Sequence, residues 1–178
     1  HKELGVGEAV VRKDQVVTVG LIEKRGSLRK GHFEFLEVAR HLPETEFIHI
    51  GKAKDDTIYR LQAQAPANVK YLGYLADEEY ARVLRASKVY LQLSKHEGFG
   101  VSVMEAMQQG CTPVVSNVGS LPEIVGDAGD VLDTNDPAEI ATKIRQIFVG
   151  SEANSNAIER AKRFSCERRK QRLVALIK

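Results

Sequence analysis

Six short runs of β-branched and apolar residues recur along this chain, and longer stretches with helical spacing separate them. That alternation constrains the fold more than any other feature. The runs lie at 16–20, 47–51, 69–73, 89–94, 112–116 and 131–132. Those at 16–20, 89–93 and 112–116 are almost continuously apolar or β-branched, as strands buried on both faces are. Between them, Phe33, Leu36, Val38, Ala39 and Leu42 predict a helix over 31–42, stopped by Pro43. Further helices are predicted over 56–64, from Asp77 to about Ser87, over 101–109, 121–125 and 137–148. Asp136 and Pro137 supply the cap and first turn of the last of these. Strands alternating with helices imply right-handed βαβ units and a doubly wound, open parallel sheet of about six strands, helices on both faces. Ligands of such sheets bind beyond the carboxyl ends of the strands, where the strand order reverses. Chemistry is therefore expected in the loops 21–30, 51–56, 73–77, 95–100 and 117–121.

A chain of 178 residues suits one such domain. With 43% hydrophobic residues and a net charge of +2, neither global disorder nor nucleic-acid binding is indicated. No apolar run approaches the roughly 18–20 residues that span a bilayer, and no signal-peptide pattern opens the chain. Two distant cysteines, Cys111 and Cys166, do not make a disulfide framework, so a reduced, cytoplasmic setting is the simple expectation. Residues 1–15 read as a linker remnant, 16–150 as the domain, and 151–178 as a basic helical segment. From Arg160 to Lys178 the net charge is +7, which leaves −5 for the remainder. Ser165 is the expected cap of a terminal helix, which is either a solvated cover for a sheet edge or a contact for an anionic membrane face or a partner domain.

The most informative stretch runs from His96 to Met107, where the fourth strand turns into a helix. Gly98 and Gly100 permit close backbone approach to a ligand, and the helix that follows offers free N–H groups and a positive dipole end to a phosphate. Glu97 stands in the loop and Glu105 about one turn into the helix, among the apolar neighbours Val103, Met104, Ala106 and Met107. A lone mid-helix Glu is ordinarily a surface acid. A carboxylate inside an apolar run needs a partner, and carboxylates accept from the hydroxyls of sugars. Four basic residues, Lys24, Arg25, Arg29 and Lys30, crowd the loop after the first strand, as either a solvated face or a diphosphate site.

Glu97-Gly-Phe-Gly with Glu105-Ala-Met and Gly110-x-x-Pro113-Val-Val resembles the signature of retaining glycosyltransferases of the GT-B architecture, the large family-4 group in particular. Gly119-Ser-Leu-Pro122-Glu123, the Gly20…Lys30-Gly31 segment and Phe164-Ser165 extend the resemblance over roughly residues 16–178, with Cys166 where Trp is usual. It implies a Rossmann-like donor domain whose reacting centre is served by Glu97, at the donor sugar, and Lys30, at the diphosphate. It implies further that Glu105 binds the ribose. The segment Gly98, Phe99, Gly100, Val101 and Ser102 holds sugar hydroxyls and phosphate, with Gly20 beside it. The loop Gly73-Tyr74-Leu75 cradles the base. No metal is expected, since no Asp-x-Asp occurs. The donor is a nucleotide-diphosphate sugar, with UDP- and GDP-sugars favoured, and the acceptor belongs to an N-terminal domain absent from these residues.

One position departs from the family pattern. Leu21 stands where an Arg is usual after Gly20, so the leaving group is served either by Arg25 from a longer loop or by Lys30 alone. Rival readings are a non-catalytic module that keeps the fold and a sugar-nucleotide epimerase. A dehydrogenase would need Gly-x-Gly-x-x-Gly after the first strand, and a P-loop would need its Gly-Lys-Ser/Thr; both are missing.

Overall fold

A computed structural model describes residues 10–150 and 153–164. In chain order the elements are β1 (Lys13–Val19), α1 (Lys24–Lys30), α2 (His32–Arg40), β2 (Glu46–Ile50), α3 (Thr57–Gln64), β3 (Val69–Gly73) and α4 (Asp77–Ala86). There follow β4 (Ser87–Gln92), α5 (Val101–Gln108), β5 (Thr112–Ser116), α6 (Leu121–Val125), β6 (Asp130–Leu132), α7 (Pro137–Phe148) and α8 (Ser155–Lys162). The strands form one sheet in the order β3-β2-β1-β4-β5-β6, every pairing parallel. The order reverses between β1 and β4, so the gap beyond their carboxyl ends is the expected ligand crevice.

Two apolar layers cover the sheet. On one face Val16, Phe47, Val89, Leu91 and Val114 pack beneath Phe35, Leu36, Ile140 and Ile144 of α2 and α7. On the other face Val17, Ile48, Tyr90 and Val115 meet Leu84, Val103, Met104, Met107, Ile124 and Ala157 of α4, α5, α6 and α8. Each central strand feeds both layers, which is why its sequence is apolar without alternation. Helix α8 is capped by Asn154, whose carbonyl oxygen accepts from Ala157 N–H at 2.9 Å while its amide donates to the Ala128 carbonyl at 2.9 Å.

Three expectations shift. The stretch 21–30, read as a loop, contains the helix α1. Its sequence KRGSLRK shows no apolar face, and only Gly26 and Ser27 are buried on it. The first strand begins at Lys13, before the apolar run, and Lys13 already aligns with Ser87 of β4. The basic segment after 150 contains α8, docked on α5 and α6. The Ser165 cap and the helix expected after it lie outside the described residues.

Candidate active site

Lys30 is delivered to the crevice by the junction of α1 and α2. Gly31 there has φ 73°, and a Cβ on it would fall 2.1 Å from the Leu93 carbonyl oxygen, so only glycine lets the junction rest on the end of β4. Lys95 N–H donates to the Arg29 carbonyl at 2.7 Å, and the Arg29 guanidinium donates to the His96 carbonyl at 3.0 Å. The end of α1 is thus stitched to the loop that carries Glu97. As a result Lys30 Nζ stands 3.0 Å from Glu97 Oε2, with side chains only 19% and 11% exposed.

A second donor serves the same oxygen. Gln92, at the end of β4 and buried, donates from Nε2 to Glu97 Oε2 at 2.7 Å and to Ser94 Oγ at 3.1 Å. Burial pushes the Glu97 carboxyl up, but the Lys30 ammonium, the Arg29 charge and the Gly98 N–H pull it further down, so it stays ionised below the ordinary range. The loop is braced from the far side, where Ser120 Oγ donates to the Gly98 carbonyl at 2.8 Å.

Helix α5 begins at Gly100, whose φ of 71° turns the loop into the helix and whose lack of a Cβ avoids Leu121 Cδ2 at 2.7 Å. No side chain caps this end and no acid sits in its first turn, so its N–H groups face the crevice as a positive pole. Phe99 and Val101 are exposed there, and the Phe99 ring meets that of Phe164 edge to face. Ser102 turns inward, with Oγ 2.8 Å from the Tyr90 hydroxyl. One turn on, Glu105 Oε2 accepts from the Tyr80 hydroxyl of α4 at 2.8 Å. Burial raises the Glu105 carboxyl and Asp77 adds to it, against the lowering effect of the Tyr80 bond. Tyr90 relates the two acids. After burial, both Glu105 and Glu97 push its phenol upward.

The remaining expected residues divide. Gly20 lies buried at the end of β1, its N–H bonded to the Ile50 carbonyl at 2.9 Å. Arg25 is exposed on α1. Gly73 ends β3, Tyr74 is exposed at the rim, and Leu75 packs partly into the apolar layer. Beneath Gly20 lies a pair of buried histidines, His32 and His49, their rings edge to face at 4.4 Å. The His32 ring presses on Gly20, where a Cβ would fall 2.5 Å from Nε2, and Nδ1 lies 3.1 Å from Ser27 Oγ. Burial holds His49 down at about 4, and burial with the charges of His49, Lys30 and Arg29 holds His32 down at about 2, so both rings are neutral. A cavity of about 550 Å³ opens on the same edge of the sheet, walled by Leu93, Ser94, Asn117, Leu132 and Asp133. It shares Ser94 with the Glu97 cluster but includes neither acid. Among the described residues no group of three His, Cys, Asp or Glu is placed to hold a metal ion.

Two participants escape the sequence patterns: Gln92 and Tyr80. Arg29 belongs to the basic stretch that the sequence leaves open between a solvated face and a diphosphate site. Gln92 had one signal, an amide in an otherwise apolar strand.

A reversed-order parallel sheet with an acid–lysine pair at its switch point and an uncapped helix end above it defines a doubly wound α/β domain with a charged crevice at the carboxyl ends of its strands. The chain belongs to the family described as glycosyl transferases group 1, whose model matches residues 10–164. It is 38% identical over 120 residues to O-antigen chain mannosyltransferase B of Escherichia coli, covering 64% of this chain and 32% of that protein. It is 32% identical over 96 residues to N-acetyl-alpha-D-glucosaminyl L-malate synthase of Bacillus anthracis, covering 53% and 25%. The chain thus spans about a third or less of these two relatives. Among solved structures, Anabaena HepE in complex with UDP and glucose superposes with a TM-score of 0.79 at 22% identity, over 93% of this chain and 48% of that one. Sucrose-phosphate synthase from Thermosynechococcus elongatus does so with 0.76 at 22% identity, over 96% and 45%. These two likenesses establish the fold.

Proposed function

We propose that this chain is the donor-binding half of a retaining glycosyltransferase that moves a hexose from a nucleotide-diphosphate sugar to an acceptor. The observation that carries the reading is the Lys30–Glu97 pair, 3.0 Å apart at the switch point. The ammonium meets the diphosphate and the carboxylate accepts from the sugar hydroxyls. The amino end of α5 adds its dipole on the leaving-group side. Glu105, steadied by Tyr80, accepts from the ribose hydroxyls, and the Gly73-Tyr74-Leu75 turn lies against the base. Lys30 rather than Arg25 is the principal cation for the leaving diphosphate, since Arg25 sits exposed on α1. The chemistry proceeds without a metal, the charge of the diphosphate being met by protein groups.

The acceptor and the opposite wall of the cleft belong to a partner N-terminal domain, so the 178 residues bind donor weakly and do not complete transfer alone. The cytoplasm, or its membrane face, is the setting that supplies such donors. The mannosyltransferase relative makes mannosyl donors the first to try, alongside glucosyl ones. The test is thermal unfolding in the presence of UDP, GDP and their hexose esters. A ligand that binds only the folded state raises the melting temperature by mass action. One nucleotide series is expected to raise it by several degrees at saturation. No rise with any of them favours the rival, a non-catalytic module that has kept the fold, for which Leu21 is the specific support.

A further inference from the structure

Gln92 occupies a place where packing alone asks for a hydrocarbon. It ends a central strand, is 1% exposed, and follows Val89, Tyr90 and Leu91, all fully buried. A buried primary amide is costly unless both of its ends are bonded. Here they are. The oxygen accepts from the Tyr90 hydroxyl at 2.9 Å, and the nitrogen donates to Glu97 at 2.7 Å and to Ser94 at 3.1 Å. The Glu97 carboxylate fixes the polarity of the amide, because it can only accept and so claims the NH₂ group, which leaves the oxygen to accept from the Tyr90 hydroxyl. Ser102 Oγ, 2.8 Å from the Tyr90 hydroxyl, ties the same chain of bonds to the first turn of α5.

We propose that Gln92 is a positioning residue that holds the Glu97 carboxylate in place while Lys30 shifts its ammonium from Glu97 to the donor diphosphate. The inference rests on the nucleotide-sugar reading. In the structure Lys30 and Gln92 share one oxygen, Glu97 Oε2. An arriving diphosphate brings more negative charge than Glu97 carries, and a lysine is a point charge on a flexible stem. The ammonium therefore moves toward the phosphates. A half-buried carboxylate deprived of its cation either takes up a proton or turns away, and in both cases it no longer accepts from the sugar. A fixed neutral donor prevents this, since an amide neither competes for the diphosphate nor follows it.

The test follows the Glu97 side-chain carboxyl by carbon NMR titration in the full 178-residue chain, in wild type, Gln92→Met and Tyr90→Phe. Gln92→Met, close in length, is expected to move the Glu97 titration upward by about one pH unit. Tyr90→Phe keeps the ring and removes only the partner of the amide oxygen, so Gln92 is held less firmly and the titration moves the same way by less. Calorimetry with UDP, GDP, UDP-glucose and GDP-mannose is expected to show the sugar nucleotide about tenfold weaker in Gln92→Met, with the bare nucleotide within about twofold. An unmoved titration in a folded Gln92→Met, or in Tyr90→Phe should the first variant not fold, overturns the role of Gln92 while wild-type binding stands. Equal weakening of nucleotide and sugar nucleotide overturns it as well. Absence of nucleotide binding in wild type overturns the function reading, and the ammonium shift with it.

Discussion

Glu97 and Glu105 stand eight positions apart and both push up the pKa of the buried Tyr90 phenol, yet their surroundings pull them in opposite directions. Glu97 takes its bonds from a cation and an amide, and its carboxyl is held below the ordinary range despite burial. Glu105 takes its bond from a neutral phenol, and burial together with Asp77 raises its carboxyl. The first is a committed charge whose cation can be lent elsewhere. The second is a carboxylate whose charged form burial disfavours, set beside a neutral hydroxyl partner. Two acids of one motif are thereby fitted to two parts of one ligand, by environment rather than by residue type.

The largest effect should come from the buried histidine pair beneath Gly20. His49 has an ordinary pKa near 6.5 and is held at about 4 by burial, so below pH 6.5 the unfolded chain takes a proton that the folded chain refuses. Stability from this group is complete above 6.5 and drains away as pH falls toward 4, by about 3 kcal/mol. Urea unfolding of wild type at pH 7 and pH 4, set beside His49→Leu, is expected to show the loss shrink by about that amount in the variant. An equal loss in both would mean that acid attacks the carboxylates first and that the histidine pair is not the weak point. His32, held lower still beneath Gly20, adds to the loss in the same direction.

The contrast also marks where sequence patterns suffice. The sheet was legible because strands buried on both faces must be apolar without alternation, as Val16–Val19 and Val89–Leu91 are. Glu97 and Lys30 were each legible through the resemblance, but their contact with one another was not. Helix α1 was not, since KRGSLRK has no apolar stripe and its end is held by Gly31 on Leu93 and by the Arg29–Lys95 bond, which are tertiary contacts. Gln92 and Tyr80 were not, since each bonds its acid from another element, and a pattern read along one strand or helix does not contain that partner. Environment, the feature that separates the two acids, is what a motif leaves out.

At intermediate size stand the ligand effects. Glu105→Ala is expected to weaken a bare nucleotide and its sugar ester alike, by roughly tenfold to a hundredfold, the worth of hydrogen bonds to a charged group. Glu97→Ala is expected to weaken the sugar ester by a similar factor while leaving the bare nucleotide nearly as it was. Calorimetry with both ligands on both variants reads the split directly. Losses that are equal and negligible in the two variants would remove the division of labour.

The smallest effect is the most diagnostic, because the two sides differ in sign. Glu97→Gln leaves the Lys30 ammonium half-buried and without its anion, and two amides then face one another at Gln92. The side chains are partly exposed, so the cost is set below that of a fully buried pair, at about 1–2 kcal/mol at pH 7. Glu105→Gln removes a charge that burial already disfavours and keeps an oxygen for the Tyr80 hydroxyl. A carboxyl raised on folding destabilises the native state once pH exceeds its ordinary value, so this variant is expected to be unchanged or slightly stabilised at pH 7, and any gain fades as acid protonates the wild type. Paired thermal melts at pH 7 and pH 4.5 separate the cases. A lowered melting temperature for Glu97→Gln beside an unchanged or raised one for Glu105→Gln is the expected result. Two variants that fall together would show that both acids are structural charges of the same kind, and the distinction drawn from Lys30, Gln92 and Tyr80 would fail.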